Sequence, residues 1–418
     1  MISFIEFYTW YQNLRTNSPS VFGEHLAIQA LGHALGRNSI NEIQPRAVHH
    51  NIYLNILGAS GKSKKSTAQE DIMKPLYPNK YVGPEHFSPE GLLRALGKQN
   101  QLICPLGEFS SFLRGIRKGN YMEAFKEISN ELFNCPDKFT KTLGNSDKSY
   151  FVIEPYLSLN TTCTIEEFKD NINTTMLHGG FLPRWINIYA RPKYRRRGLL
   201  PDDIKKVERY IKDILFKLYV VCEKKPLKFT LTEDALDTYD VICKDLESNS
   251  KWQGVQGYVS RMENYIIAYA DILIISDFLG QKVIRQDELM QLTKLMKLMK
   301  LTNDNDSADN INSINSINLV NFVNSVKSSS ITKAWTILKP QLEYVRTLVS
   351  DIDEDRYVAK VIRTFQINDT NVLTWSKCLQ YSHLKSRDFN DVIETLTLRG
   401  QISSYIKDRI TYLKYKAK

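Results

Sequence analysis

The chain contains no run of 18 apolar residues, so no membrane-spanning helix is expected. Its longest candidate, Tyr265 to Leu279, is broken by Asp271 and Asp277. Cysteine is scarce and scattered, at Cys104, Cys135, Cys163, Cys222, Cys243 and Cys378. The nearest two are 21 residues apart and no CxxC pair occurs, which argues against a zinc ribbon or finger. Dispersed thiols of this kind read as reduced, intracellular side chains. The first residues, MISFIEFYTWYQNLRTNSPS, place no basic segment before an apolar one, so no signal peptide is expected. The expected setting is cytoplasmic, without a membrane partner.

Hydrophobic residues make up 42% and charged residues 24%, which excludes wholesale disorder and a collagen-like chain. At 418 residues the length corresponds to two or three domains, at about 150 residues each. What is abundant is positive charge: 56 Lys and Arg stand against 46 Asp and Glu, a net +10. Such an excess attracts polyanions, nucleic acid first, although it also serves solubility.

The apolar pattern predicts helices over 2–15 and 21–36, the second stopped by Gly36. A short apolar run at 51–57 reads as a buried strand. Further strands are expected at Leu102–Leu106, Tyr150–Leu159 and Trp185–Tyr189. They alternate with helical stretches at 88–97, 109–117 and 121–133, the pattern of an α/β layer with a largely parallel sheet. Beyond Pro201 the chain turns helical, with helices expected at 202–221, 232–248, 258–279 and 287–301. Residues 302–330 hold eight Asn and seven Ser and read as a linker. The divisions expected are an N-terminal helical segment 1–48, a core 49–200, a helical lid 201–301, the linker 302–330 and a C-terminal domain 331–418.

Chemistry concentrates after the first strand, in Gly58-Ala59-Ser60-Gly61-Lys62-Ser63-Lys64-Lys65-Ser66-Thr67. Glycines let backbone N–H groups curl round phosphate oxygens, and a following helix adds positive charge at its N-terminus. A lysine neutralises phosphates and a Ser or Thr hydroxyl holds Mg²⁺. The standard G-x-x-x-x-G-K-[ST] spacing is not met. Lys62-Ser63 comes two positions early, Lys64 is in place but is followed by Lys65, and Lys65-Ser66 comes one position late. The choice made is an enlarged loop using Lys65 and Ser66, with Gly58, Ser60, Gly61, Lys64 and Thr67 around the nucleotide. The alternative is a basic surface turn.

Three further positions accompany the loop. Glu108, at the end of the second apolar run, would polarise an attacking water, but Gly107 stands where an Asp would hold the metal shell. Asn160, at the end of the third, would orient that water or a phosphate, or merely cap a turn. Arg184 opens a stretch to Arg197 with six basic residues, Arg195, Arg196 and Arg197 among them, and no acid. It suits an arginine finger offered to a neighbouring subunit, or phosphate and nucleic-acid contact, or a solvated basic loop.

These runs in this order resemble a AAA+ ATPase. They are more closely similar to the primase-associated helicase-like P-loop family of plasmids and viruses, and to the minichromosome maintenance helicases. The loop motif G-x-S-G-x-x-(R/K)-K-S-T matches Gly58 to Thr67, and Ser88 to Leu93 is also familial. The arginine-finger pattern matches Gly180 to Trp185. Arg261, in Arg261-Met262-Glu263, looks like the family's second phosphate sensor. The resemblance implies an αβα sandwich with N-terminal helices and a helical lid, ATP and Mg²⁺ as cofactors, and a homo-hexameric ring. It further implies single-stranded DNA in the channel and a primase as partner. It also implies a channel hairpin within 138–156, with Lys141 and Lys148 near its tip, where the bare residues allow an ordinary exposed hairpin.

Residues 355–418 read helix, short helix, helix and hairpin, a winged helix-turn-helix pattern suited to duplex DNA or to packing on another subunit. From Arg399 to Lys418 six basic residues face one acid, and Lys407 and Arg409 sit at the wing. The function expected is an ATP-dependent DNA helicase or translocase serving plasmid or virus replication in a prokaryote. The alternatives are a nucleotide-gated DNA-binding initiator or regulator that does not unwind, and a structural hexamer with a vestigial site.

Overall fold

The computed structural model describes residues 2–43, 47–117, 122–142, 149–172, 176–177, 179–191, 204–282, 324–368, 370–398, 400–408 and 410–416. The protein is mixed α/β with parallel sheets. It divides into two compact units, 1–344 and 345–418.

Helix α1 (Phe4–Arg15) starts at Ser3, whose hydroxyl accepts from the Glu6 N–H while the Glu6 carboxylate accepts from the Ser3 N–H. Helix α2 (Ser20–Leu35) is buried on nearly every side, as its run of Leu, Ala and Ile dictates. Gly32 lets it lie against the chain at His50, because a Cβ there would stand 2.5 Å from the His50 carbonyl. Gly36 ends it in the left-handed region, at φ +73°. The two-residue strand β1 (Ile40–Asn41) follows.

The main sheet has four parallel strands: β2 (Tyr53–Leu57), β3 (Gln101–Glu108), β6 (Tyr156–Cys163) and β7 (Trp185–Tyr189). Their order is β3-β6-β2-β7, with Tyr53 level with Leu159 on one side and Trp185 on the other. β2 and β6 are buried throughout, as strands covered on both faces must be. Helices α3 (Pro89–Lys98), α4 (Phe109–Arg117), α5 (Glu123–Leu132) and α6 (Ile165–Asn171) lie between strands in sequence.

The single strand expected over Tyr150–Leu159 is two. β5 (Ser149–Ile153) pairs antiparallel with β4 (Lys138–Thr142) as a separate hairpin. The chain then breaks at Glu154, whose φ is +48°, and at Pro155, before β6 begins. β6 runs on through Asn160 to Cys163, so Asn160 lies within a strand and not at its end.

Helices α7 (Ile204–Lys224), α8 (Glu233–Ser248) and α9 (Gln256–Lys282) match the expected helical region. The helix expected at 287–301 lies outside the described residues. So do residues 302–323 of the expected linker; its remainder is built into the fold. β9 (Ser325–Val326) pairs with β8 (Lys228–Leu231) beside β1, and α10 (Ser328–Ile367) starts directly after it. The open edge of β8 offers backbone groups that this Asn/Ser segment satisfies. Among the described residues no helix is long and apolar enough to cross a membrane.

The second unit comprises the end of α10, β10 (Val372–Thr374), α11 (Trp375–Ser382), α12 (Ser386–Leu398), β11 (Ile402–Lys407) and β12 (Ile410–Tyr415). Its sheet is antiparallel, in the order β10-β12-β11. Phe365, Phe389, Val392, Leu396 and Leu413 form its core. β10, three residues long, was not expected from the pattern. Thr374 caps α11 by accepting from the Lys377 N–H.

Several ionisable groups are buried in the first unit. His50 Nε2 lies 2.9 Å from Asp271, and Asn41 donates to the same carboxylate, which burial pushes above the usual range. His25 pairs with the Tyr269 hydroxyl, and His33 sits among Tyr77, Tyr81, Tyr156 and Tyr219. Burial pushes both imidazoles down to about 3. An unfolded chain protonates each below about pH 6.5, whereas the folded chain does not until about pH 3. Their contribution to stability is therefore complete above pH 6.5 and is lost as the pH falls. The double variant His25→Asn/His33→Asn should flatten the pH dependence of unfolding free energy between pH 6 and 4 by about 2.7 kcal/mol per pH unit, read by denaturant titration. An unchanged slope would show that these imidazoles are charged in the fold.

Candidate phosphate-binding site

The expected loop leaves the carboxyl end of β2, where parallel sheets place ligands and where β6 has been inserted between β2 and β3. Gly58 is required there by its neighbour: a Cβ would fall 2.6 Å from the Ser63 hydroxyl. The loop folds on itself through Lys62 N–H to Ser60 O and Ser63 N–H to Ala59 O. Gly61 and Lys64 have φ of +66° and +49°. Left-handed residues set among right-handed ones turn successive N–H groups to one side, forming a concavity suited to anions. The Ser63 hydroxyl is buried and has no hydrogen-bond partner.

The three lysines are now distinguishable. Lys62 and Lys64 are exposed, whereas Lys65 is half-buried and its ammonium donates to Gly58 O at 2.9 Å and Ala59 O at 3.5 Å. Burial lowers its pKa below the usual lysine range, opposed by the nearby Cys163 and the charges of Glu167, Glu166 and Glu108. Ser60 and Ser66 are exposed and Thr67 half-exposed, Thr67 opening a helical segment to Met73 wound at π-helical pitch.

Glu108 is exposed at the end of β3, and Gly107 before it accepts from the Thr161 hydroxyl through its carbonyl. Glu166 and Glu167 begin α6, which Thr164 caps by accepting from the Glu167 N–H. The carboxyl ends of β2, β3 and β6 thus bring Lys65, Glu108, Glu166 and Glu167 to one edge of the sheet. Among the described residues no group of three His, Cys, Asp or Glu could hold a metal ion. An ion at this edge would rest on Ser66 and phosphate oxygens, the sharing that Mg²⁺ commonly accepts.

Asn160 is not open to this edge. It is 1% exposed and its amide donates to Gln29 Oε1 at 2.9 Å while its side-chain oxygen accepts from Gln69. Gln69 also donates to Leu106 O and Asn160 O, and Gln29 to Ile52 O and Leu159 O. Neither glutamine carries a motif that marks it in the sequence.

Arg184 and Arg261 come together. Arg184, 9% exposed, donates to Gly180 O, lies 5.8 Å from the centre of the Phe133 ring, and has a buried Nε without a partner. Burial, then the neighbouring charge of Arg261, holds its guanidinium below the usual arginine range. Arg184 precedes Trp185, which is level with Tyr53, so it stands at the amino edge of the sheet. Gly58 is at the opposite edge, some 16 Å away for five residues of strand. Arg261, expected as a phosphate sensor, lies close enough to Arg184 for its charge to act there.

Of the expected DNA contacts, Lys141 lies on the half-buried side of its hairpin, 4.0 Å from Glu127. The opposite side exposes Lys138, Phe151 and Ile153. Lys407 is exposed at the end of β11, beside the exposed Tyr405, Ile406 and Ile410. Lys148, Arg195, Arg196, Arg197 and Arg409 lie outside the described residues.

No known protein-family model matches the chain, and no curated protein matches it in sequence.

Gln69→Leu keeps the volume but removes the donor shared by three buried acceptors. It should cost about 1–3 kcal/mol in unfolding free energy and speed hydrogen exchange of the amides in 58–66. Unchanged exchange in the loop would show that it does not depend on this amide.

Proposed function

We propose that the protein is a P-loop nucleoside triphosphatase of AAA+ type that works on DNA as an oligomeric ring, with a winged helix-turn-helix as its second unit. One observation carries the reading most. A half-buried lysine ammonium sits within a backbone concavity at the carboxyl edge of a parallel sheet, with a solvent-facing glutamate ending a strand of that sheet. In this reading N–H groups of the loop other than those of Gly58, Lys62 and Ser63, which already donate within the fold, cradle the phosphates. Lys65 leaves the Gly58 and Ala59 carbonyls for the β- and γ-phosphates. Mg²⁺, held by the Ser66 hydroxyl with phosphate oxygens, supplies neutralisation of the charge that develops there. Glu108 orients the attacking water.

The arginine pair supports an oligomer. Two adjacent guanidiniums, one of them largely buried, lie a sheet's width from their own loop. A phosphate bound in the loop of another copy would meet their chemistry, and the chain's own would not. The work on DNA rests on the basic excess and on the exposed Lys407 and tyrosine-rich hairpin of the second unit, chemistry suited to phosphates and unpaired bases. Helicase or translocase activity in replication of a plasmid or virus, with a primase as partner, is the fuller form of the proposal. Gly107 favours a second reading, a nucleotide-gated initiator that does not unwind.

The test is ATP hydrolysis with and without single-stranded DNA, for the natural protein and for Lys65→Ala. The expected result is hydrolysis raised by DNA and lowered at least 100-fold in the variant, the order of effect seen when a principal transition-state charge contact is removed. Hydrolysis indifferent to Lys65 would overturn the proposal. Hydrolysis without opening of a forked duplex would select the second reading.

A further inference from the structure

The segment before α3 runs along the outer side of β3. Val82 bridges Ile103 in parallel and the Gly83 N–H donates to Ile103 O at 2.8 Å. This approach requires a glycine at 83, since a Cβ there would stand 2.4 Å from the Cys104 sulfur. The pairing is a single bridge, after which the chain bends at Glu85 and His86. The His86 ring lies beside Gly107: a Cβ on Gly107 would lie 3.2 Å from His86 Cε1 and 4.0 Å from Nε2. His86 is exposed, one residue along from Glu108, at the edge that carries Lys65. The imidazole therefore stands beside the position from which an aspartate at 107 would reach the metal shell.

We propose that His86 is a ligand of the nucleotide's divalent ion, taking the place of the carboxylate that Gly107 cannot supply. This rests on the nucleotide-binding reading above. Mg²⁺ is a hard ion that takes oxygen ligands, whereas a nitrogen donor is taken up by the first-row transition ions, in an affinity order that begins at Mn²⁺. The site accordingly prefers Mn²⁺ to Mg²⁺. The absence of a side chain at 107 and the presence of an imidazole at 86 are parts of one arrangement: an aspartate at 107 would press on the ring.

The experiment uses the full chain with Mn²⁺ and a non-hydrolysable ATP analogue, read by electron spin-echo modulation of the bound Mn²⁺. Modulation from a directly coordinated ¹⁴N is expected in the natural protein and is expected to vanish in His86→Gln, which leaves Glu108 and the loop intact. In parallel, analogue binding should be at least tenfold tighter with Mn²⁺ than with Mg²⁺. That ratio should fall toward one in His86→Gln and turn toward Mg²⁺ in His86→Ala/Gly107→Asp. Binding of the analogue that depends on Lys65 but shows no nitrogen coupling would overturn this inference and leave the nucleotide reading standing. Failure of the analogue to bind in a Lys65-dependent manner would overturn both.

Discussion

Two buried glutamines and a buried asparagine hold the loop after β2, the candidate phosphate loop, to the rest of the sheet. Gln69 ties the helical segment behind the loop to the backbone of β3 and β6, Asn160 passes the chain to Gln29, and Gln29 ties α2 to the backbone of β2 and β6. Amides taken out of water cost several kcal/mol unless they find partners, so such a network is either closely satisfied or destabilising. Here all three donors find acceptors, in β3, in β6, just before β2 and on α2, while Gln69 Oε1 stays buried without a partner. The consequence is positional: the helix start, and Lys65 before it, cannot drift relative to the ends of β2, β3 and β6. If the loop holds phosphate, as proposed, such a foundation fixes the N–H groups that would meet it.

The parallel sheet then sorts charge by edge. Its carboxyl edge carries Lys65 with Glu108, Glu166 and Glu167, and its amino edge carries Arg184 with Arg261. In the proposed reading, the lysine beside three carboxylates takes further negative charge together with a metal ion. The two arginines, whose charges act on each other, and the unpartnered buried Nε of Arg184 suit an anion. The two edges are complementary, yet five residues of strand keep them apart within one chain. That geometry is why the account needs more than one copy of the protein.

Much of this framework can be read from the residues. β7 and the long helices α8 and α9 follow apolar periodicity closely, and Gly36 stops α2 where a left-handed residue is needed. Other features depend on partners distant in sequence. Asn160 reads as a strand terminus because polar Asn160-Thr161-Thr162 follow an apolar run; inside the fold these polar groups find Gln29, Gln69 and the Gly107 carbonyl. The strand expected over Tyr150–Leu159 has an unbroken apolar rhythm except at Glu154 and Pro155, and those two residues divide a hairpin from the main sheet. The choice among Lys62, Lys64 and Lys65 could be made from spacing only by allowing an enlarged loop, whereas burial separates them directly. His86 carries no motif. It acquires meaning only from the fold that sets its ring beside Gly107. β10 is too short to show a pattern and exists because β12 offers it an edge.

The claim that the arginine pair completes the loop of another copy is tested most directly by mixing two inactive variants. Lys65→Ala retains its arginines and Arg184→Ala retains its loop, so each should hydrolyse ATP poorly alone. Co-assembled from the unfolded or dissociated state, they should form interfaces with an intact loop on one side and an intact arginine on the other. Hydrolysis above the sum of the separate variants is expected, rising with the co-assembled fraction. Hydrolysis no greater than that sum, in assemblies shown to contain both chains, would contradict it.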